Sequence, residues 1–150
     1  MIGPFNGEYL FLSNFYPVFI TVEEASGILI TYPSVEHTYQ AMKTLDTGQR
    51  LVICKLKTPG EAKRAGRNVT LREDWEQVKF DVMLDLLRLK FKQADLRDRL
   101  VATLGQELIE INNWSDTYWG VCNGVGTNHL GRLLMVVRLE VFKERNQGKG

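Results

Sequence analysis

Cysteine, histidine and proline are scarce in this chain, with two, two and four copies among 150 residues. Cys54 and Cys122 stand far apart and no cysteines cluster, so the sequence spells neither a disulfide framework nor a structural zinc site. His37 and His129 are far apart as well. No metal and no cofactor are expected. No apolar run is long enough to span a bilayer, which excludes a helical membrane anchor as a reading of this sequence. Charge of one sign is also missing: 19 basic side chains face 18 acidic ones. Without a global field to recruit nucleic acid or an anionic membrane, any phosphate binding must be local. The opening Met1-Ile2-Gly3-Pro4 has neither a basic nor an apolar leader region, so a cytoplasmic chain with reduced thiols is expected. Repeats, linkers and low-complexity blocks are absent too. One domain over residues 1–150 is expected, with no obligate protein partner evident.

What is present has the balance of a soluble globular protein, 44% hydrophobic and 25% charged. Residues 5–15 mix aromatics with small polar groups and read as a short strand or an irregular loop. Residues 18–22 and 28–32 are β-branched and aromatic around a turn at 23–27, the pattern of a hairpin. Pro33 is expected to close the second strand and Ser34 to cap a helix. Asp46 caps a second helix. Thr58-Pro59-Gly60-Glu61 opens a short basic one in capping-box form. Residues 72–93 form the longest helical stretch, with Trp75, Val78, Val82, Met83, Leu86 and Leu89 recurring at helical spacing. Asp95 caps a further helix that Gly105 ends, and residues 108–111 alternate as a small strand. Residues 112–127 read as a loop. Asn128 caps the last helix, whose Leu130, Leu133, Leu134, Val137, Val141 and Phe142 face inward, with a polar tail from Arg145. The fold class is therefore mainly α with a small antiparallel hairpin.

Four groups of residues carry chemical potential. Glu36, Gln40 and Lys43 follow one another at spacings of four and three, so on a helix advancing about 100° per residue they share a face. Val35, Tyr39 and Met42 fall on another face. A carboxylate, an amide and an amine together suit a site that holds a polar ligand and moves a proton; a solvated stripe beside a core face is the competing reading. His37 on the same helix is expected behind the first contacts. The second group, Phe11 to Pro17, sets Asn14 and Tyr16 between large rings, as a loop does where it lays an amide and an aromatic face on a ligand. Asp116-Thr117-Tyr118-Trp119-Gly120 is the third. It offers a second carboxylate and a stacking wall, or else a turn former and a core indole. The fourth is the glycine-rich 124–131 segment, where Asn128 opens a helix N-terminus that can face an anion. Arg67 after Gly66 and Lys79 near Trp75 add positioned cations. For Lys63 and Arg64 a solvated face is favoured.

Residues Phe11–Pro17 (FLSNFYP), Glu36–Lys43 (EHTYQAMK), Ala62–Arg67 (AKRAGR), Asp74-Trp75 with Lys79 and Met83, Trp119-Gly120, and Asn128–Gly131 (NHLG) with Leu134, Met135 and Arg138 form ordered blocks along the chain. In order and spacing they resemble the NADAR, or YbiA-like, family over nearly the whole sequence. The resemblance implies a mainly α-helical YbiA-like domain that hydrolyses N-glycosidic bonds. Members cleave phosphoribosylamine intermediates of riboflavin synthesis, and others remove ADP-ribose from guanine in nucleic acid. The substrate expected is accordingly a small-molecule nucleotide or an ADP-ribosylated nucleic acid. In that frame Glu36 stabilises the sugar cation or activates water, and Asp116 assists the departing nitrogen. Lys43, with Lys79 as second candidate, either donates to the ribose or attacks the anomeric carbon. Tyr16, Trp75 and Trp119 sandwich the base, with Asn14, His37, Gln40 and Gly120 completing the binding set. Arg67 and the helix start at Asn128 hold phosphate. The rival from another class is a non-catalytic reader of NAD or ADP-ribose, which would not need an acid and an amine on one helix.

Overall fold

The computed structural model describes residues 1–148. The chain divides into two compact units, one of residues 14–86 and one combining residues 1–13 with those from Leu87 onward.

In the 14–86 unit, β1 (Pro17–Glu23) and β2 (Leu29–Ser34) pair antiparallel, with Ile20 opposite Tyr32 and Val22 opposite Ile30. The period of two sends Val18, Ile20, Ile30 and Tyr32 inward, while Phe19 stays on the open face. There the hydroxyls of Thr21 and Thr31 meet at 2.8 Å. Pro33 lies inside β2 rather than after it. A two-stranded ribbon has only edge strands, where a residue without an N–H is tolerated. Helix α1 (Val35–Ala41) packs on β2, α2 (Thr47–Cys54) and α3 (Pro59–Ala65). The three expected caps are in place. Ser34 Oγ accepts the His37 N–H, Asp46 Oδ1 that of Gln49 and Thr58 Oγ1 that of Glu61, each satisfying a first-turn donor. Glu61 departs from the capping box by accepting from Lys57 N–H.

Helix α4 (Trp75–Phe91) begins three residues later than its periodicity suggests. Arg72 is held elsewhere, its N–H on the Lys43 carbonyl at 2.8 Å and its guanidinium on both oxygens of Asp74. Trp75, Met83 and Leu86 are buried as expected, but Leu89 is exposed. Lys90 takes the inward position with Leu87 and Phe91.

The other unit opens with a 3-10 helix, Gly7–Leu12, instead of a strand or irregular loop, and buries Phe11 and Leu12. Helix α5 (Ala94–Val101) has Gln93 at its cap position, so Asp95 sits in the first turn. The expected 108–111 strand is displaced. Leu108 makes only an isolated bridge to Ile2, and β3 (Ile111–Asn112) overlaps the expected strand only at Ile111 and runs parallel to β4 (Val121–Cys122), which lies inside the stretch read as loop. Helix α6 (His129–Gln147) packs on α5 and continues past Arg145, where a frayed tail was expected. Arg138 on α6 is buried and donates to the carbonyls of Thr103 and Gln106 at 2.9 and 2.8 Å. Among the described residues no helix is long and apolar enough to cross a membrane.

Candidate functional site

Glu36 is a buried carboxylate of the 14–86 unit. It lies in the first turn of α1, and the residue is only 8% exposed. A buried carboxylate needs donors, and Gln40 Nε2 supplies one to Oε1 at 2.8 Å, one helical turn on. The backbone N–H of Glu36 bonds to the Asn14 carbonyl, which ties the helix start to the loop after residue 13. Gln40 is itself pinned. A Cβ on Gly66 would lie 1.8 Å from Gln40 Oε1, so the absence of a side chain at the end of α3 is what admits the amide. Asn14 Oδ1 and Gln40 Oε1 are both buried without a hydrogen-bond partner, while Asn14 Nδ2 reaches Met83 Sδ at 3.5 Å.

The two-faced helix expected from sequence is not what forms. All seven residues of α1 are buried, polar and apolar alike, and the helix ends at Ala41. Lys43 belongs to the turn that follows. Its amine stands 5.7 Å from the centroid of the Tyr39 ring, and Tyr39 meets Trp75 at 5.1 Å. Burial lowers the Lys43 pKa. Glu36 opposes that shift, and the charges of Arg67, Lys63 and Lys79 reinforce it. One carboxylate and three further cations therefore act on Lys43, among them Lys63, for which a solvated face was favoured. Lys79 also pairs with Glu76 at 2.7 Å.

Two residues assigned to binding in this unit, His37 and Trp75, lie buried. His37 is 1% exposed and both ring nitrogens are engaged, Nδ1 with Ser34 Oγ at 2.6 Å and Nε2 with the Leu56 carbonyl at 2.9 Å. It braces α1 from inside and offers a ligand nothing; burial lowers its pKa. Trp75 is 5% exposed and packs its ring on Tyr39, so it is a wall of the core rather than an open stacking face. Tyr16 is half-buried and Arg67 exposed.

The remaining candidates lie in the other unit. Asp116 Oδ1 accepts the N–H groups of Tyr118 and Trp119 at 3.1 and 2.9 Å, which is the turn-forming role set against the acid role in the sequence. Trp119 is half-buried and meets Tyr118 edge-on at 4.8 Å, with His129 at 6.3 Å. Gly120 is close to protein rather than to open space: an added Cβ would lie 2.2 Å from the Glu110 carbonyl oxygen. Asn128 stands at the cap position of α6 with φ 53°, but its side chain does not cap the helix. Its Oδ1 accepts from Glu110 N–H and its Nδ2 donates to the Leu108 carbonyl, both at 2.9 Å, so the side chain clamps the 108–110 segment.

Sequence reasoning passed over Lys90. Its side chain is fully buried, and Nζ donates to the Ser13 carbonyl at 2.8 Å. Burial pulls its pKa down to about 7, against the attraction of Glu110. The available signal was a lysine at helical spacing from Leu86 and Leu87.

The NADAR domain family matches residues 3–141. N-glycosidase YbiA of Shigella boydii is 44% identical over 119 residues, which span 77% of this chain and 74% of that protein. Riboflavin biosynthesis protein PYRR, chloroplastic, of maize is 38% identical over 144 residues, covering 87% of this chain and 23% of the maize protein. The solution structure of Escherichia coli YbiA superposes with a TM-score of 0.81 at 38% identity, covering 96% of this chain and 84% of that one.

Proposed function

This chain belongs to the NADAR family and is a hydrolase of N-glycosyl bonds, and from that premise we propose that it cleaves the bond between a nitrogen base or amine and a phosphate-bearing ribose. The observation that carries the reading is the buried Glu36 carboxylate, oriented by Gln40 and electrostatically joined to the half-buried Lys43 amine. When an anomeric C–N bond breaks, its electron pair leaves with nitrogen and positive charge spreads over C1 and the ring oxygen. A carboxylate held beside that carbon stabilises the transition state more than the ground state, because the charge it answers does not exist before the bond stretches. Glu36 has that role, or takes a proton from the water that adds to C1. Gln40 keeps the oxygen in place, and Gly66 keeps Gln40 in place.

Lys43 fits two roles. As a cation it donates to the ribose hydroxyls. As a neutral amine, which its lowered pKa favours, it attacks C1, expels the nitrogen and forms a ring-opened imine that water then releases. Lys63 and Arg67 supply local positive charge for the phosphate on a chain whose overall charge is near zero. The name of the maize relative favours a phosphoribosylamine intermediate of riboflavin synthesis as substrate; the family resemblance adds ADP-ribosylated guanine. Incubating the purified protein with each compound and measuring released amine or guanine by mass spectrometry tests the reading. Release from one identifies the substrate class, and release from neither removes the activity proposed.

A further inference from the structure

Helix α1 ends at Ala41, and the turn carrying Lys43 and Thr44 has a weak hold on it. The N–H groups of Lys43 and Thr44 reach the Gln40 and Ala41 carbonyls at 3.3 Å each, the long side of a hydrogen bond. Carbonyls at a helix end have no partner along the helix and need one elsewhere. Two arms from outside supply it. Arg72 N–H meets the Lys43 carbonyl, and Arg50 Nε, on α2, donates to the Thr44 carbonyl, both at 2.8 Å. Thr44 is fully buried, so its carbonyl cannot fall back on water.

Arg50 is itself fixed. Its Nη1 pairs with Glu24 Oε2 at 2.5 Å, just past the end of β1, and both side chains are more than nine-tenths buried. Burying two opposite charges costs desolvation that their attraction does not always recover, and apolar residues of similar volume commonly stabilise a fold as well. The cost is high here, because Glu24 Oε1 and the hydroxyl of Tyr32, which feels both charges, are buried without hydrogen-bond partners. Such a pair is better explained by the geometry it imposes than by stability. Glu24 holds one end of the guanidinium, and the other end holds Thr44. Lys43 is the next residue in the chain. Its amine is attracted by Glu36 and repelled by Arg67, Lys63 and Lys79. A flexible ammonium among mostly like charges swings towards water unless its backbone is held.

We propose that Arg50, anchored by Glu24, is a positioning residue for Lys43: through the Thr44 carbonyl it fixes the turn that keeps the amine inside the site with Glu36. Its role in turnover rests on the N-glycosidase reading; the tether itself does not. Neither Arg50 nor Glu24 touches the substrate. They act by holding one backbone carbonyl, so their loss is expected to be felt at Lys43 before it is felt in the fold.

Lysine-selective isotope labelling of the full chain lets the Lys43 side chain be titrated by NMR, its signal assigned by its loss in Lys43→Arg. Arg50→Met combined with Glu24→Gln removes the donor to Thr44 and leaves no unpaired charge buried, so the melting temperature is expected to stay near the parent's. In that variant the turn opens and the amine is rehydrated, so the Lys43 pKa rises from its lowered value towards the ordinary 10.5. Turnover is expected to fall at least about tenfold, the scale of a misplaced reacting group. Should the double variant fail to fold, Arg50→Lys carries the same two expectations. It keeps a cation against Glu24 with one nitrogen in place of the two that Arg50 uses. A purely structural pair would lower the melting temperature and leave the Lys43 titration where it was. A folded variant in which Lys43 titrates as in the parent therefore overturns the proposal, whatever its rate. A raised Lys43 pKa with undiminished turnover overturns it as well. If the titration moves as expected while the parent releases neither amine nor base from any N-glycoside, the tether stands and the N-glycosidase reading falls.

Discussion

Glu36 and Lys43 differ in how far the sequence could place them. Glu36 follows a serine cap by two residues, which puts it in the first turn whatever the helix length, and its spacing to Gln40 gives the bond that forms. Lys43 lies beyond the end of α1, where helical angles no longer apply; its proximity to Glu36 comes from the turn that brings its carbonyl to Arg72. Glu36→Gln preserves the shape and an acceptor for Gln40 while removing the charge. Turnover is expected to fall about 10²-fold or more, with thermal stability and ligand affinity near the parent's. Steady-state rates beside a melting curve check this, and a near-parental rate removes Glu36 from the chemistry. Lys43→Arg keeps a cation but no nucleophile. If the imine forms, borohydride added during turnover traps a protein–ribose adduct in the parent and none in the variant, which is also inactive. Because burial lowers the Lys43 pKa, the neutral fraction grows at lower pH than for an exposed lysine, so the imine route accelerates as pH rises toward that value. An active Lys43→Arg leaves the residue a binding role.

At the scale of the element, capping chemistry was legible and burial was not. Ser34, Asp46 and Thr58 cap where their residue types and the following turns require. Helix α1 defeats a two-face reading because it is surrounded by β2, α2 and α3, so even Glu36, His37 and Gln40 are inside. Periodicity reports which residues are apolar; it does not report how many neighbours a short helix has. Gly66 is the packing consequence. A methyl there would collide with the Gln40 amide at 1.8 Å and crowd its Cβ at 3.1 Å, and Gln40 has little room to retreat at 4% exposure. Gly66→Ala is expected to pull Gln40 off Glu36, cutting turnover more than tenfold and costing on the order of 1–3 kcal/mol of stability. Gln40→Ala in the same chain relieves the collision, so stability returns while activity does not. A double-mutant cycle by urea unfolding and rate measurement reads both terms, and additive stability losses would show that the two positions are not coupled.

Across the described residues, the hairpin and the α-helices were legible because they rest on local signals, whereas β3 and β4 were not. Each of those strands is only two residues long, too short for an alternation to show, and they pair in parallel, Ile111 with Val121. Lys90 was hidden for a related reason: composition marks lysine as surface, and only the packed molecule reveals that it is enclosed. That enclosure gives a global pH signature. Below about pH 7 Lys90 carries its proton in both folded and unfolded chains, so the full cost of burying the charge is present. Between about 7 and the ordinary lysine value of 10.5, the unfolded chain binds this proton and the folded one does not. Stability must then rise with pH, by at most about 1.4 kcal/mol per unit from this group, and level off above the unfolded value. Lys90→Met keeps most of the volume and removes the titration, at the loss of the bond to the Ser13 carbonyl. Urea unfolding of parent and variant below about pH 7 and again near pH 9 should show the parent gaining stability relative to Lys90→Met. Comparing the two proteins cancels the contribution of Lys43, which has the same sign. Parallel profiles would mean that Lys90 keeps its proton inside the fold and that its interaction with Glu110 outweighs burial.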